Sequence, residues 1–267
     1  MRPDPHVFER LGVPRIGRVF YQGRIVTAVP YDETHIRLMD GTIVCEEEVS
    51  FLPPFEPGTI IALGLNYADH ASELSFKPPS EPIIFFKGKN ALSGHRAIVM
   101  RPPAEMVHYE GELAVVIGRS GYHILEKDAM AHVLGYTVAN DFAVRDMLEN
   151  YYRPNLPVKN RDGMTPIGPW LTAASMISDP LKLTIETTVN GQTVQKGSTG
   201  DMIFGISEII ALISRVLTLR AGDVILTGTP KGAINVGHGD RVRVHIEGVG
   251  TLDNTICEEG RTCHTSL

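Results

Sequence analysis

The sequence predicts an α+β protein that is mainly β, on three observations. Short runs rich in β-branched and aromatic residues, bounded by Gly, Pro, Asn or Asp, recur along the 267 residues. Helical candidates are few and do not alternate regularly with the strands, which disfavours a doubly wound parallel sheet. Hydrophobic residues make up 43% of the chain and charged residues 21%, a balance that is typical of a packed globular protein.

The first 57 residues are predicted to form a small β-rich domain. Strand-like runs separated by turn residues fill positions 18–49. The segment FLPPFEPG at 51–58 then carries three prolines and a glycine, a composition that stops regular structure. We therefore expect one domain over residues 1–57 and the main domain over residues 58–267.

The main domain is predicted to begin with a buried strand, TIIALGLNY, that leads into a short helix, YADHASELS, with Asn66 as its N-cap. Further strands are predicted in the runs PIIFFKG, AIVM, ELAVVIG, LGYTVAN, LTIETTVNG, DVILTG and RVRVHIEG. Helices are predicted over residues 126–134, 142–152 and 206–217. Residues 153–169 contain four prolines and two glycines, which is typical either of a functional lid or of a solvated surface loop.

Charge and targeting features exclude several partners. The formal net charge is -6 and the basic residues are scattered, so a nucleic-acid partner is not expected. No signal peptide or membrane-spanning stretch is evident, which predicts a cytoplasmic protein without a membrane partner. The three cysteines, Cys45, Cys257 and Cys263, have no metal-ligand spacing and are odd in number. We interpret them as free thiols without a catalytic role.

Three carboxylates form the candidate metal site. Glu110 and Glu112, in the run HYEGELAVVIG, are two residues apart in a predicted strand and so point to the same face. Such carboxylates repel each other unless a cation lies between them, and Mg²⁺ or Mn²⁺ prefers oxygen ligands. The alternative is an exposed strand face. Asp141 ends the run GYTVAN, where a strand is expected to lead into a helix, and is either a third ligand or a helix N-cap.

His70 and Glu73 are the candidate acid/base pair. Their i, i+3 spacing on the short predicted helix lets the side chains meet. A carboxylate beside imidazole fixes its tautomer and raises its basicity, as a general base or water activator requires. A purely structural pair is the alternative interpretation.

Four further residues are candidates for substrate handling. Lys87 ends an apolar strand-like run, Lys159 lies in the proline-rich segment, and Arg145 follows Asp141 by four residues on the predicted helix. Arg145 could therefore pair with Asp141 or face a ligand. Thr229 lies in a turn where its hydroxyl and nearby amides could hold a carboxylate. We expect a small di- or tricarboxylate substrate, with Lys87, Arg145 and Thr229 binding it.

The runs LGLNYADHASE, IIFFKG, HYEGELAVVIG, GYTVANDFAVRD and ILTGTPKG together resemble the fumarylacetoacetate hydrolase family over residues 60–258. The resemblance implies a β-sandwich-like roll for the main, catalytic domain and a homodimer. It also implies that Glu110, Glu112 and Asp141 bind Mg²⁺ or Mn²⁺. The family's catalytic residues match His70, Glu73 and Lys159.

Within this family, LENYYRPNLPVKNRDGMTPIG resembles members that act on 5-oxopent-3-ene-1,2,5-tricarboxylate and 2-hydroxyhepta-2,4-diene-1,7-dioate. The expected reactions are decarboxylation of the first compound and isomerisation of the second to 2-oxohept-3-ene-1,7-dioate. Some relatives fuse two such domains, so a sister subunit is a further possible partner. The alternatives are an acylpyruvate-type C–C hydrolase, another 2-oxo acid decarboxylase and a catalytically silent partner subunit.

Overall fold

Strands dominate the described part of the chain, which in this computed structural model comprises residues 4–73, 75, 77, 79–103, 106–148, 154 and 156–263. The prediction of a mainly β, α+β protein is confirmed. The α-helices are α1 Val7–Leu11, α2 Ala68–Glu73, α3 Leu156–Lys159 and α4 Ile206–Val216. Short 3₁₀ helices cover Glu46–Glu48, Lys89–Ala91, Glu126–His132, Arg145–Met147, Ala174–Met176 and Thr199–Asp201. None of the helices in these ranges has the length and apolar character needed to cross a lipid bilayer.

The strands fall into two main sheets and one short pair. They are β1 Arg15–Tyr21, β2 Arg24–Pro30, β3 His35–Leu38, β4 Ile43–Cys45, β5 Ser50–Leu52, β6 Ile60–Gly64, β7 Ile83–Lys87, β8 Leu92–Ser93, β9 Ile98–Arg101, β10 Val107–His108, β11 Gly111–Ile117, β12 Val133–Asn140, β13 Ala143–Val144, β14 Thr165–Ala173, β15 Thr184–Val189, β16 Gln192–Ser198, β17 Val224–Leu226, β18 Arg241–Ile246 and β19 Gly250–Glu258.

The first sheet runs in the order β4-β3-β2-β1-β14-β12-β11-β17-β6-β7, with β5 paired to β1 and β8 to β14. Strand β11 lies in its interior, and all seven of its residues are buried. Leu113 and Val115 pack in one hydrophobic cluster, whereas Ala114 and Val116 pack in another. The sheet is therefore covered on both faces at the strand that carries Glu112.

The second sheet, β16-β15-β18-β19-β9, packs against the first. Ile185 of β15 and Val244 of β18 share a cluster with Leu113 of β11, and the apolar face of α4 joins the same cluster. Gly111 lies where the sheets approach each other. A Cβ at that position would lie 2.8 Å from Cγ1 of Val244, so only glycine fits between Glu110 and Glu112 without a local shift.

The N-terminal strands β1 to β5 pack around a cluster that includes Val19, Ile36 and Phe51 and that Trp170 of β14 also joins. They join the rest of the first sheet through two register pairs between β1 and β14, Arg15↔Thr172 and Ile16↔Leu171. A boundary between residues 57 and 58 stays a prediction.

Two of the predicted helices need correction. The helix predicted over residues 142–152 is wrong in its described part, because Ala143–Val144 pairs with Val107–His108 and only a 3₁₀ turn follows. Phe142 and Val144 are fully buried in a separate cluster, so tertiary packing overrides the apparent helical pattern. Residues 149–152 of that prediction lie outside the described residues. The helix predicted over 126–134 is a 3₁₀ helix ending at His132, and the helix predicted from residue 206 is confirmed as α4.

The interpretation of all three cysteines as free thiols is wrong. Cys257 and Cys263 form a disulfide with a Cα–Cα distance of 5.7 Å, and Cys45 is free. Sequence spacing did not predict the pair because it depends on the turn that follows β19. Asn66 also does not cap α2, since its side-chain amide bonds the backbone of Phe204 and Thr227 instead.

Candidate active site

Strand register brings Glu110, Glu112 and Asp141 together. Strands β11 and β12 are antiparallel with Gly111 opposite Asn140, so the residues just outside this pair, Glu110 and Asp141, are neighbours. The Asp141 amide donates to the Glu110 carbonyl across 2.8 Å. Oxygens of the three carboxylates lie within 4.8 Å of one another. The side chains are 1–4% exposed, which excludes the exposed strand face. We call these three residues the carboxylate cluster.

Three cationic side chains contact the carboxylate cluster. Lys159 Nζ lies 2.6 Å from Oε2 of Glu110 and 2.9 Å from Oδ2 of Asp141. Arg145 Nη2 lies 2.7 Å from Oε1 of Glu110, and Lys87 Nζ lies 2.6 Å from Oδ1 of Asp141. Lys87 also donates to the Lys159 carbonyl. Lys87 and Arg145, two of the residues expected to bind substrate, thus lie beside the expected metal ligands together with Lys159, and Arg145 does so from a 3₁₀ turn.

The charges of the cluster are unevenly compensated. Burial alone would raise the pKa of Glu110, but Lys159 and Arg145 outweigh burial and hold this pKa at about 2. Among the described residues Glu112 forms no ion pair, and the attraction of Lys159 offsets only part of the opposing effects on its pKa. Burial, together with the like charges of Asp141 and Glu110, raises the pKa of Glu112 well above its usual value. Burial likewise lowers the pKa of Lys87, against the attraction of Asp141. An additional cation near Glu112 would relieve this imbalance.

The donor set fits a hard divalent cation. Oδ1 of Asp141 contacts the Lys87 ammonium across 2.6 Å and accepts no other hydrogen bond from the described part of the chain. Glu112 accepts one hydrogen bond through Oε2, from the Gly228 amide across 2.8 Å. Gly228 has a φ of 90°, a conformation that glycine adopts without strain. Buried carboxylate oxygens with unused acceptor capacity are the ligands that Mg²⁺ and Mn²⁺ prefer.

His70 and Glu73 meet on α2, as their spacing predicts. His70 Nδ1 lies 3.0 Å from Oε2 of Glu73, and the Gly232 amide donates to Oε1 of Glu73, also across 3.0 Å. Because a carboxylate can only accept, Nδ1 of His70 carries the proton. Burial lowers the pKa of His70, which favours a neutral imidazole whose Nε2 is available as a base.

The Thr229 side chain accepts a hydrogen bond from Gln195, a residue that the sequence analysis did not single out. Gln195 Nε2 donates to Oγ1 of Thr229 across 3.0 Å and to the Pro230 carbonyl across 2.8 Å. Thr187 donates to Oε1 of the same Gln195 across 2.7 Å. The Thr229 oxygen therefore accepts from Gln195, which leaves its proton to donate to another acceptor.

His108 is a second residue that sequence reasoning missed. It precedes Glu110 by two residues, and burial, followed by the nearby Arg145, lowers its pKa to about 4. Its Nδ1 is buried without a hydrogen-bond partner among the described residues. His108 is two residues before Glu110, so the i, i+2 spacing that grouped Glu110 with Glu112 could also have indicated His108 from the sequence.

Comparison with known proteins identifies the family. The profile described as "Fumarylacetoacetate (FAA) hydrolase C-terminal" matches residues 59–257. This chain belongs to the fumarylacetoacetate hydrolase family.

Individual relatives carry more specific names. The 4-hydroxyphenylacetate degradation bifunctional isomerase/decarboxylase of Salmonella dublin is 51% identical over 228 residues, which are 83% of this chain and 53% of the relative. The chain thus spans about half the length of that relative. An oxaloacetate tautomerase of Bacillus subtilis is 42% identical, over 74% of this chain and 69% of the relative. The crystal structure of 2-hydroxyhepta-2,4-diene-1,7-dioate isomerase from Mycobacterium marinum aligns with a TM-score of 0.77 and 32% identity, over 92% of this chain and 99% of that one.

Proposed function

We propose that this chain is a divalent-metal-dependent enzyme of 4-hydroxyphenylacetate (homoprotocatechuate) degradation. Its reactions are decarboxylation of 5-oxopent-3-ene-1,2,5-tricarboxylate, isomerisation of 2-hydroxyhepta-2,4-diene-1,7-dioate to 2-oxohept-3-ene-1,7-dioate, or both. The observation that carries the proposal is the buried carboxylate cluster with Lys159 beside two of its members. The names of the Salmonella and Mycobacterium relatives support the reaction class.

Glu110, Glu112 and Asp141 would hold Mg²⁺ or Mn²⁺ in this proposal. The bound ion would supply Lewis acidity toward the carboxylate and carbonyl oxygens of a 2-oxo acid. Both expected reactions need electron density to move toward that carbonyl, so one binding arrangement can serve decarboxylation and isomerisation. An oxaloacetate tautomerase among the relatives is consistent with keto–enol chemistry in such a site.

Lys159 is the proposed proton carrier at carbon. Its ammonium is 2% exposed and lies between Glu110 and Asp141, so it delivers a proton from within the site and without bulk water. His70, oriented by Glu73, is the other group able to take or give a proton. Arg145, Lys87 and Thr229 are the proposed contacts for the remaining carboxylates of the substrate, because they supply two positive charges and a hydroxyl at the same site.

The direct test measures CO₂ release and the ultraviolet absorbance change from 5-oxopent-3-ene-1,2,5-tricarboxylate, with Mg²⁺ and then with excess chelator. We expect CO₂ release that stops when the chelator is added and returns with Mg²⁺. Isomerisation is followed separately with 2-hydroxyhepta-2,4-diene-1,7-dioate. Full activity in the presence of chelator would contradict metal dependence. Failure on both substrates with Mg²⁺ present would contradict the proposed reactions and favour a silent subunit or another substrate.

A C–C hydrolase of acylpyruvate type is the second candidate, and the His70–Glu73 pair favours it. The Nε2 of a neutral, oriented imidazole can activate water for attack on a carbonyl. Product analysis separates the candidates, since an acylpyruvate yields pyruvate on hydrolysis, whereas the tricarboxylate yields CO₂. Pyruvate formation without CO₂ would replace the first candidate with the second.

We also propose that the chain acts as a homodimer in the cytoplasm, alone or with a sister subunit. Strand β7 is the last strand of the first sheet, and its Ile84 and Phe86 are 40% and 55% exposed. Exposed apolar side chains on an edge strand favour association with another chain. Sedimentation equilibrium over a range of concentrations tests this, and a monomer throughout would contradict it.

A further inference from the structure

A second group of described side chains that could hold a metal ion is separate from the carboxylate cluster. We call it the sulfur cluster: His238, Cys257 and Cys263. One donor atom of each residue lies within 4.8 Å of the other two. Cys257 is 2% exposed near the end of β19, whereas Cys263 follows the next turn and His238 lies in the loop before β18. The cluster therefore combines one buried ligand with two more accessible ones.

Backbone hydrogen bonds fix the loop that carries His238. The Gly239 amide donates to the Ile256 carbonyl across 2.9 Å, and the Ile256 amide donates to the Asp240 carbonyl across 2.8 Å. These bonds attach the loop to β19 one residue before Cys257. The backbone that directly follows His238 is thus held in place before any ligand binds, which reduces the conformational entropy lost on binding.

The turn that carries Cys263 is similarly held. The Arg261 amide donates to the Glu258 carbonyl across 3.0 Å, and the Glu259 amide donates to the Arg101 carbonyl of β9 across 2.9 Å. These contacts return the chain toward β19 after Cys257. The backbone path therefore brings the two sulfur atoms together. Because these backbone bonds do not involve sulfur, they do not depend on whether the cysteines are oxidised or reduced.

The two cysteines form a disulfide in this structure. Reduction by a dithiol breaks the S–S bond: two electrons and two protons pass to the cysteine sulfurs, and the dithiol becomes a disulfide. The product is a pair of thiols beside an imidazole. His238 Nδ1 lies 3.6 Å from Sγ of Cys263 and accepts the Glu258 amide across 3.3 Å, a long hydrogen bond that a metal ion could replace.

We propose that the reduced sulfur cluster binds one Zn²⁺ ion, and that the disulfide is its oxidised form without metal. Two thiolates and one imidazole are a donor set that suits Zn²⁺, with a water molecule completing four-coordination. Binding displaces the two thiol protons to solvent. The carboxylate cluster offers only oxygen donors and suits a harder ion. The two sites thus differ in ligand chemistry, and the zinc site does not depend on the proposed reactions.

Cobalt(II) is the probe, because it reports ligand type and geometry by absorption. The full chain is reduced with dithiothreitol, freed of reductant without oxygen and checked for three titratable thiols, the number of cysteines in the sequence. Excess Mg²⁺ is present to occupy the carboxylate cluster. We expect one equivalent of Co²⁺ to give a thiolate-to-cobalt charge-transfer band and intense visible bands typical of tetrahedral coordination, both abolished by one equivalent of Zn²⁺. The oxidised chain should show neither.

Cys263→Ser and His238→Gln test the ligands, since both residues are more accessible than Cys257 and circular dichroism can check their folding. Each should weaken Zn²⁺ binding by at least roughly tenfold, and Cys263→Ser should lose most of the charge-transfer band. Cys45→Ser is the matched control and should leave the spectrum unchanged. A fully reduced chain without the band, or a band that survives Cys263→Ser, overturns the proposal. So does a band lost in Cys45→Ser.

Discussion

The carboxylate cluster and the sulfur cluster bring potential metal ligands together by different means. Glu110 and Asp141 are distant in sequence and become neighbours through the register of β11 and β12, whereas Cys257 and Cys263 are joined by a local turn. The first cluster is buried and contacted by three cations, and the second has accessible members. The comparison indicates that a site built by sheet register is defined by the whole fold, while a site built by a turn can change its chemical state locally.

The largest expected effect comes from removing the cation that contacts two members of the carboxylate cluster. Lys159→Ala should lower both proposed rates by roughly 1000-fold, because a positioned proton donor contributes about that much. Steady-state assays with Mg²⁺ measure the change. Lys231→Ala, at an exposed lysine, is the matched control and should retain activity. Full decarboxylase and isomerase rates in Lys159→Ala would rule out its proposed role.

Glu112→Gln should keep the stability of the metal-free protein but lose the stabilisation that Mg²⁺ provides. The raised pKa of Glu112 means that the metal-free fold favours the neutral carboxyl group over the carboxylate. The stability that the neutral group contributes is therefore lost as pH rises through the folded-state pKa. Replacing it by a neutral isostere should leave the metal-free melting temperature unchanged or higher. Wild type should gain about 2.7 kcal/mol at Mg²⁺ one hundred times above its Kd, and the variant should gain almost nothing.

The control for this change is Glu247→Gln, at an exposed glutamate in the turn between β18 and β19, and it should respond to Mg²⁺ as wild type does. Differential scanning fluorimetry with and without Mg²⁺ measures all three proteins. An undiminished Mg²⁺ response in Glu112→Gln would remove Glu112 from the ligand set.

Gly111→Ala should destabilise the protein by about 1–3 kcal/mol through overpacking. The added Cβ would lie 2.8 Å from Val244 and 2.9 Å from Thr187, where the two sheets meet. Gly237, which precedes His238, is the matched control, because a Cβ there would meet its nearest atom at 3.7 Å. Urea unfolding compares the two alanine variants. Equal stability would show that the sheets adjust at the carboxylate cluster as readily as the loop does at the sulfur cluster.

The last expected effect is a loss of stability in acid, and it comes from His95, which contacts the strand that carries Cys257. Burial lowers the pKa of His95 to about 4, and its Nδ1 accepts the Asp253 amide of β19 across 3.1 Å. Since the folded pKa lies below the unfolded value, stability is full above about pH 6.5 and falls toward pH 4. From pH 7 to pH 5 the loss from His95 should be about 2 kcal/mol.

Urea unfolding at the two pH values measures this loss, and His95→Gln should reduce the difference by about the same amount while retaining an acceptor for the Asp253 amide. An unchanged pH dependence in the variant would mean that other groups, such as His108 with its similarly lowered pKa, account for acid sensitivity.

Local spacing accounts for the predictions that the structure supports. The i, i+2 relation of Glu110 and Glu112 and the i, i+3 relation of His70 and Glu73 follow from strand and helix geometry alone. The mainly β class follows from repeated strand patterns. These features depend on residues close in sequence, so a single sequence contains the information they need.

The features that sequence reasoning missed depend on distant contacts. The pairing of β13 with β10 decides that residues 143–144 are a strand, and no local pattern reveals it. Gln195 reaches Thr229 across 34 residues of sequence, and Lys87 reaches Asp141 from the far edge of the first sheet. The metal, the roles of the site residues, the homodimer and the domain boundary stay predictions.

The hydrogen bond between Glu73 and the Gly232 amide has a consequence for proton transfer. The same carboxylate fixes the proton of His70 on Nδ1, so the docking of α2 and the tautomer of His70 are set by one group. If α2 moved away from Gly232, Glu73 would leave with it and could rotate toward solvent. The protonation pattern of the imidazole would then report whether the helix is docked, which makes a ring nitrogen of His70 a spectroscopic sensor of helix position.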